Sequence, residues 1–432
     1  MLTYEESLAF LNAPVYSQTR PGLAPVTELM HELGDPQDGL KYVHIAGTNG
    51  KGSTASFIER ILREAGYRTG LYTSPYLMRF TERMRVCGQE ISKDDLTRLT
   101  TKVKDAVDRI TAQGHTAPTI FEMVTAVAFL YFREQKCDII VLEVGMGGRL
   151  DATNIIKESE ISVITAIDFD HMNFLGDTIG EIAYEKAGII RNNGIVVSFP
   201  QRADAEKVLR EVCAEENAGL YIADPGPVLL EANIRGQRFR LADGREFHIS
   251  LLGSYQIRNA AVAVLAMDLL TARGWRLTPD SLARGLENAR WPGRFELMST
   301  NPMILVDGAH NPNGVEALAR GLRTLFPGRK FTFIAGVLAD KDYTSMLRVV
   351  EPLASRFLTV TPDSERALAA SELAQDLRAD GFKAVSFRSV SAAAETALSE
   401  YPDEIICAFG SLYFIGDIRR VFLDKGLTAS DE

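Results

Sequence analysis

The residues best suited to phosphate chemistry sit in one short run, Gly47-Thr48-Asn49-Gly50-Lys51-Gly52-Ser53. Glycines let backbone N–H groups approach an anion, a helix N-terminus adds partial positive charge, and Lys51 adds a full one. The spacing departs from the common phosphate loop, because Gly47 and Gly50 are only three apart and Gly52 separates Lys51 from Ser53. On local context alone, a glycine-rich turn with a solvated lysine is the competing reading.

Other polar groups close apolar runs. Glu143 ends a hydrophobic stretch, where a carboxylate is costly unless it meets a metal or a cation. The alternative is a salt bridge at a strand end. His171 follows Asp168 and Asp170, and could face a divalent ion or be structural. Ser74 could offer a hydroxyl or cap the turn before Pro75. Magnesium keeps several waters, so one Glu, one Ser and one His around nucleotide phosphates suffice. Gly145-Met146-Gly147-Gly148 fails as a dinucleotide fingerprint, because Leu150 stands where glycine is needed and a polar loop follows. Asp307-Gly308-Ala309-His310-Asn311 and Asp340-Lys341-Asp342 each close a later apolar run, where helix capping is the alternative to function.

These groups need a scaffold that gathers them. Residues 42–46 read as a buried strand feeding the glycine turn, and residues 53–65 as a helix with Phe57, Ile58, Ile61 and Leu62 on one face. Strands at 69–73, 137–144 and 161–167 alternate with helices at 93–111, 119–134 and 179–190. Continuous apolar strands between helices predict a doubly wound parallel α/β sheet with ligands beyond the carboxyl ends of its strands. Residues 3–12 and 25–33 read as two short helices linked through Pro14 and Pro21. Residues 228–250 alternate in polarity around Gly236 and Asp243-Gly244, which predicts hairpins. A long helix follows at 254–273. After Pro292-Gly293, strands at 303–307, 330–337, 356–361, 384–388 and 404–408 predict a smaller, Rossmann-like α/β domain, placing the division at 1–293 and 294–432.

The bulk numbers agree with two domains. A chain of 432 residues exceeds one ordinary core, and 46% hydrophobic with 24% charged residues is a globular composition. A formal charge of -10 argues against nucleic-acid or anionic-membrane partners. Cys87, Cys137, Cys213 and Cys407 have no metal spacing and read as reduced thiols. The first residues carry Glu5 and Glu6 instead of a basic-then-apolar leader, so a cytoplasmic chain is expected.

The motifs in order resemble the folylpolyglutamate synthases and dihydrofolate synthases of the Mur ligase superfamily. They are the run at 47–53, Thr73-Ser74-Pro75-Tyr76-Leu77 with Glu82-Arg83, and Phe121-Glu122. Then come the long, specific motif at residues 142–154, Asp170-His171 and Glu185-Lys186. Gln256 with Asn259, Pro292-Gly293-Arg294 and residues 307–312 complete the set. The resemblance covers nearly the whole chain and implies an ATP-dependent ligase that joins L-glutamate to the γ-carboxylate of a folate through an acyl phosphate. It implies that Thr48, Asn49, Gly50, Lys51, Gly52, Ser53, Asn259, Arg294 and Asp307 contact ATP. Ser74, Glu143 and His171 match magnesium ligands, and Lys186 matches a lysine carried as a carbamate. Tyr76, Phe121, Glu122, Leu150, Asp151 and Ala152 match the pterin or folate region, and His310 and Lys341 the glutamate site or domain closure. Small-molecule substrates and a monomer are implied too. Tyr76 and Tyr255 stand where the family usually has histidine. A dihydrofolate synthase, a bifunctional enzyme, a Mur-type peptidoglycan precursor ligase and an inactive nucleotide-binding regulator are the rival readings.

Overall fold

The structure, a computed structural model, describes residues 1–13 and 22–428. Pro14 and Pro21 lie outside them. The chain forms two compact units. The first comprises Met1–Val228, Leu241–Phe247 and Arg258–Ala289, and the second Leu229–Arg240, His248–Ile257 and Arg290–Glu432.

The first unit is built on an eight-stranded sheet. Its strands are β1 (Tyr42–Ala46), β2 (Thr69–Tyr72), β3 (Met84–Val86), β4 (Gln89–Glu90), β5 (Ile139–Glu143), β6 (Ile161–Ile164), β7 (Ile195–Ser198) and β8 (Gly219–Ile222). Their order is β4-β3-β2-β5-β1-β6-β7-β8. From β2 to β8 every pairing is parallel, and β3 and β4 add an antiparallel edge. The central strands β1, β2 and β5 are buried at every position, as strands covered on both faces must be. On one face Tyr42, Tyr72, Ile140 and Leu142 pack with the apolar stripes of helices Lys93–Ala112 and Ile120–Glu134. Ala46 and Ile164 belong to a separate core with helices Ile179–Ala187 and Ala203–Glu215.

Val228–Asn233 (β9), Gly236–Arg240 (β10) and Glu246–Ile249 (β11) form a three-stranded sheet in the order β11-β10-β9. This is the stretch whose alternating polarity predicts hairpins.

The second unit carries a six-stranded sheet of β12 (Glu296–Thr300), β13 (Met303–Asp307), β14 (Phe331–Ala335), β15 (Ala354–Thr359), β16 (Ala384–Ser386) and β17 (Ile405–Phe409). The order is β12-β13-β17-β14-β15-β16, parallel except for the edge strand β12. Phe331, Phe333 and Phe357 stack across β14 and β15, with centroids 5.7 and 5.5 Å apart, and anchor its core. Among the described residues no helix is long and apolar enough to cross a membrane.

Candidate active site

Strand order assembles the first set of polar groups. β2, β5, β1 and β6 are adjacent and parallel, so the segments leaving their carboxyl ends emerge side by side. Glu143 is the last residue of β5, and the segments leaving β2, β1 and β6 carry Ser74, the glycine turn and Asp168–His171 respectively. Ser74 N–H donates to Glu143 Oε2 at 3.3 Å, which brings those two candidates together. His171 N-caps the short helix Met172–Leu175 from a left-handed backbone (φ 49°), and its side chain lies 3.6 Å from Asp170. Among the described residues no group of three His, Cys, Asp or Glu side chains could hold a metal ion. The oxygens of Ser74 and Glu143 fit a hard cation that takes its remaining ligands from phosphates and water.

The glycine turn differs in detail from the sequence expectation. The helix begins at Lys51, two residues earlier than the apolar pattern indicates, because Gly50 takes φ 90° and turns the chain there. Thr48 and Asn49 N–H groups both donate to the Ala166 carbonyl, and the Thr48 hydroxyl donates to the Asp168 carbonyl. Those two amides therefore pin the turn to the segment after β6. No side chain caps the helix Lys51–Glu64, and the N-terminus of an uncapped helix is suited to an anion. Gly47 (φ 147°) is locked by space as well, since a Cβ there would collide with Thr165. A Cβ at Gly50 would meet the Asn259 side chain at 2.6 Å, which places Asn259 at the turn.

Two ammonium groups converge on one carbonyl. Lys51 Nζ donates to Gly47 O at 3.0 Å and to Thr48 O at 3.3 Å, and Lys186 Nζ donates to Gly47 O at 2.9 Å. Lys186 is 3% exposed. Burial, then the neighbouring Lys51 charge, lowers its pKa to about 7. The motif after β5 holds this helix in place. Arg149 N–H donates to the Glu185 carbonyl at 2.7 Å, and the Arg149 guanidinium pairs with the Glu185 carboxylate at 2.7 Å.

The expected pterin region is more internal than its motif suggests. Glu122 closes a capping box with Thr119, whose N–H donates to Glu122 Oε2 at 2.6 Å. Asp151 accepts from Thr153 N–H, Thr153 hydroxyl and Met146 N–H at 3.0, 2.6 and 2.9 Å. Ala152 belongs to the core. These three residues shape the loop, while Phe121 and the half-buried Leu150 remain nearer its surface. The Phe121 ring lies 6.1 Å from Tyr72 and blocks any Cβ at Gly145.

In the second unit Asp307 ends β13 inside a closed network. Its Oδ2 accepts from Phe295 N–H and its Oδ1 from Ala309 N–H, both at 2.6 Å, and the Tyr255 hydroxyl donates to it as well. Burial pushes Asp307 up to about 6, against the opposing pull of the Arg294 guanidinium. Tyr255 is thus a donor to Asp307, a role its sequence position did not reveal. Phe295 adopts φ 44°, a strained value for a bulky residue, and its N–H is held by Asp307. His310 Nδ1–H donates to the Gly308 carbonyl at 2.7 Å. His310 and Lys341 follow β13 and β14, which flank β17. The segment Gly410-Ser411 leaves β17 between them and escapes the sequence reading, although it too closes a buried strand before a helix.

The Mur ligase middle domain family matches residues 45–267, and the Mur ligase glutamate ligase domain family matches residues 293–412. The dihydrofolate synthase/folylpolyglutamate synthase of Bacillus subtilis is 36% identical over 438 residues, covering 96% of this chain and 98% of the relative. The folylpolyglutamate synthase of Lacticaseibacillus casei is 36% identical over 432 residues, with 98% and 99% coverage. A solved FPGS–AMPPCP–folate complex superposes with a TM-score of 0.84 at 34% identity, covering 98% of this chain and all of that one.

Proposed function

Because the chain belongs to the folylpolyglutamate synthase/dihydrofolate synthase family of Mur ligases, we propose that it joins L-glutamate to the γ-carboxylate of a reduced folate at the expense of ATP. The observation that carries this reading is the row of four adjacent strand ends, with Lys51 and Lys186 meeting at the Gly47 carbonyl. A carboxylate is a poor electrophile and must be activated. The bound carboxylate attacks the γ-phosphate of ATP in line, forming an acyl phosphate and releasing ADP. The glutamate amine then attacks the acyl carbon and phosphate leaves.

In this reading the uncapped amides of helix Lys51–Glu64 orient the phosphates, and Lys51 swings from Gly47 O to the terminal phosphoryl group. Asn259 steadies the turn. Ser74 and Glu143, with His171, would hold magnesium, which supplies charge neutralisation to the transferring phosphoryl group. Phe121, Tyr76 and Leu150 line the pterin site, with Glu122, Asp151 and Ala152 shaping it from beneath. Arg294 is a nucleotide contact in this reading, and Asp307 orients it. His310, Lys341 and Ser411 take the incoming glutamate. No covalent nucleophile is needed, so the chemistry is positioning and electrostatics.

We further infer that Lys186 is carried as a carbamate. An amine lowered to about 7 is substantially neutral at physiological pH. Its nitrogen lone pair bonds to the carbon of CO2 with loss of one proton. A carbamyl resonance in enzyme equilibrated with 13C-bicarbonate, absent from Lys186→Met, is the expected result.

The acceptor decides between the two activities in the Bacillus subtilis relative's name. ADP release is measured with ATP, magnesium and L-glutamate, with tetrahydrofolate or dihydropteroate as acceptor, and product mass is read in parallel. Turnover with tetrahydrofolate alone makes the enzyme a folylpolyglutamate synthase, and turnover with both makes it bifunctional. Dihydropteroate alone makes it a dihydrofolate synthase. Silence with both overturns the proposal.

A further inference from the structure

Arg83 is a guanidinium that the first unit builds in without giving it an anion. It ends the 3-10 turn Phe80–Arg83, and its carbonyl accepts from Thr73 N–H at 3.0 Å, so its backbone is tied to the segment that carries Ser74. Its guanidinium carbon sits 5.1 Å from the Tyr76 ring and 5.4 Å from the Phe80 ring. Its Nε is buried with no hydrogen-bond partner.

The nearby carboxylates are engaged elsewhere. Glu82 accepts the N–H groups of Leu77, Met78 and Arg79 at 2.9, 3.2 and 3.0 Å. Glu90 takes Arg79 and the Thr81 hydroxyl, each at 2.6 Å. Arg83 therefore has two aromatic walls and no carboxylate among the described residues. Tyr72 links it to the rest of the site, because its phenol feels the charges of Arg83, Glu143 and Asp151 while its ring neighbours Phe121. A planar, permanently charged fork with free donors is suited to bidentate carboxylate binding.

We propose that Arg83 is the subsite for a carboxylate of the acceptor, with Tyr76 and Phe80 fixing the plane of its guanidinium. The inference rests on the folate reading above and adds a specificity-determining residue to it. The carboxylate has two possible sources: the aminobenzoate group of dihydropteroate, or the α-carboxylate of a folate glutamate.

The test compares binding of pteroic acid with its carboxamide, and of folic acid with its α-carboxamide, to the full-length enzyme in the presence of magnesium and a non-hydrolysable ATP analogue. Wild type should prefer the acid of one pair by about 10- to 100-fold, the range of a charge-assisted hydrogen bond. Arg83→Gln should abolish that preference and leave carboxamide affinity and the KM for ATP unchanged. Arg83→Met, which keeps the stem between the rings, is the second variant should Arg83→Gln fail to fold. A rise in acceptor KM for dihydropteroate alone assigns the aminobenzoate carboxylate, and a rise for tetrahydrofolate alone assigns the α-carboxylate. The proposal is overturned if wild type binds the acid and the carboxamide of both pairs alike, or if a folded variant keeps the preference. Wild-type turnover is scored separately, so an active enzyme with an indifferent Arg83 sinks only this assignment.

Discussion

The turn at residues 47–53 and the turn at residues 307–312 have the same topology and opposite wiring. Each leaves a buried parallel strand and opens a helix of 14 residues. In the first, no side chain caps the helix, and the cations gather on a carbonyl. In the second, Asn311 caps the helix by accepting from Gly314 N–H at 2.8 Å, Pro312 occupies its first turn, and the Asp307 carboxylate takes two backbone N–H groups. One turn leaves its helix without a side-chain cap. The other closes its donors internally and so fixes the Arg294 segment. Strand-turn-helix geometry alone does not make a phosphate site; the fate of the first-turn amides does.

Substitutions should split along that line. Lys51→Ala has the largest expected effect. It should lower ligase turnover by about 10³-fold, comparable to losing a principal transition-state donor, with an unchanged circular dichroism spectrum. Near-normal turnover would remove the distinction between the two turns. Gly47→Ala comes next. Its φ of 147° and the Thr165 clash should cost about 1–3 kcal/mol in denaturant unfolding and weaken nucleotide binding with it. Unaltered stability would show that the turn can relax.

Lys186 sharpens the comparison through pH. Its folded pKa of about 7 lies below the ordinary lysine value of 10.5. Between these values the unfolded chain binds more protons, so this group makes stability rise with pH across that window. Below pH 7 both states are protonated and the cost of burying the ammonium is fully present. In CO2-free buffer, Lys186→Met should therefore gain Tm over wild type most at pH 6–7, and the gain should shrink toward pH 10. A gain independent of pH would show that the lysine is not buried as a charge. Asn311→Ala is the smallest change. Loss of the cap should cost about 1 kcal/mol and leave nucleotide affinity unchanged, and a shift in nucleotide Kd would mean the second turn is not closed.

The sequence makes the central strands legible because burial on both faces writes itself as continuous apolar runs. Residues 139–143, 331–335 and 405–409 are of this kind, and the structure places strands at each. The edges are not legible in the same way. β3 with β4, and β12, are short and mix polar with apolar residues, since an edge strand has one covered side at most. Among candidate site residues, the motifs single out residues but not what each touches. Thr119 and Glu122 carry the spacing of a capping box, and the structure puts them to that use beside the expected pterin region. Lys186 reads as a plain helix lysine, because its partner at Gly47 is 139 residues away and no local pattern records that contact. Tyr255 is likewise silent, because its bond to Asp307 depends on tertiary approach.

The two units share the chain in alternating pieces, with boundaries after residues 228, 240, 247, 257 and 289. This bears on how the molecule is made. A ribosome emits the chain from one end, and domains usually fold as units when their last segment appears. The first unit lacks its part of the long helix Ser254–Ala272, from Arg258 onward, and the helix Pro279–Asn288 until about two thirds of the chain has emerged. Translation arrested near residue 228 would leave the parallel sheet without those two helices and exposed to proteolysis. Arrest shortly after residue 289 would supply every segment of the first unit while the second is still mostly unmade.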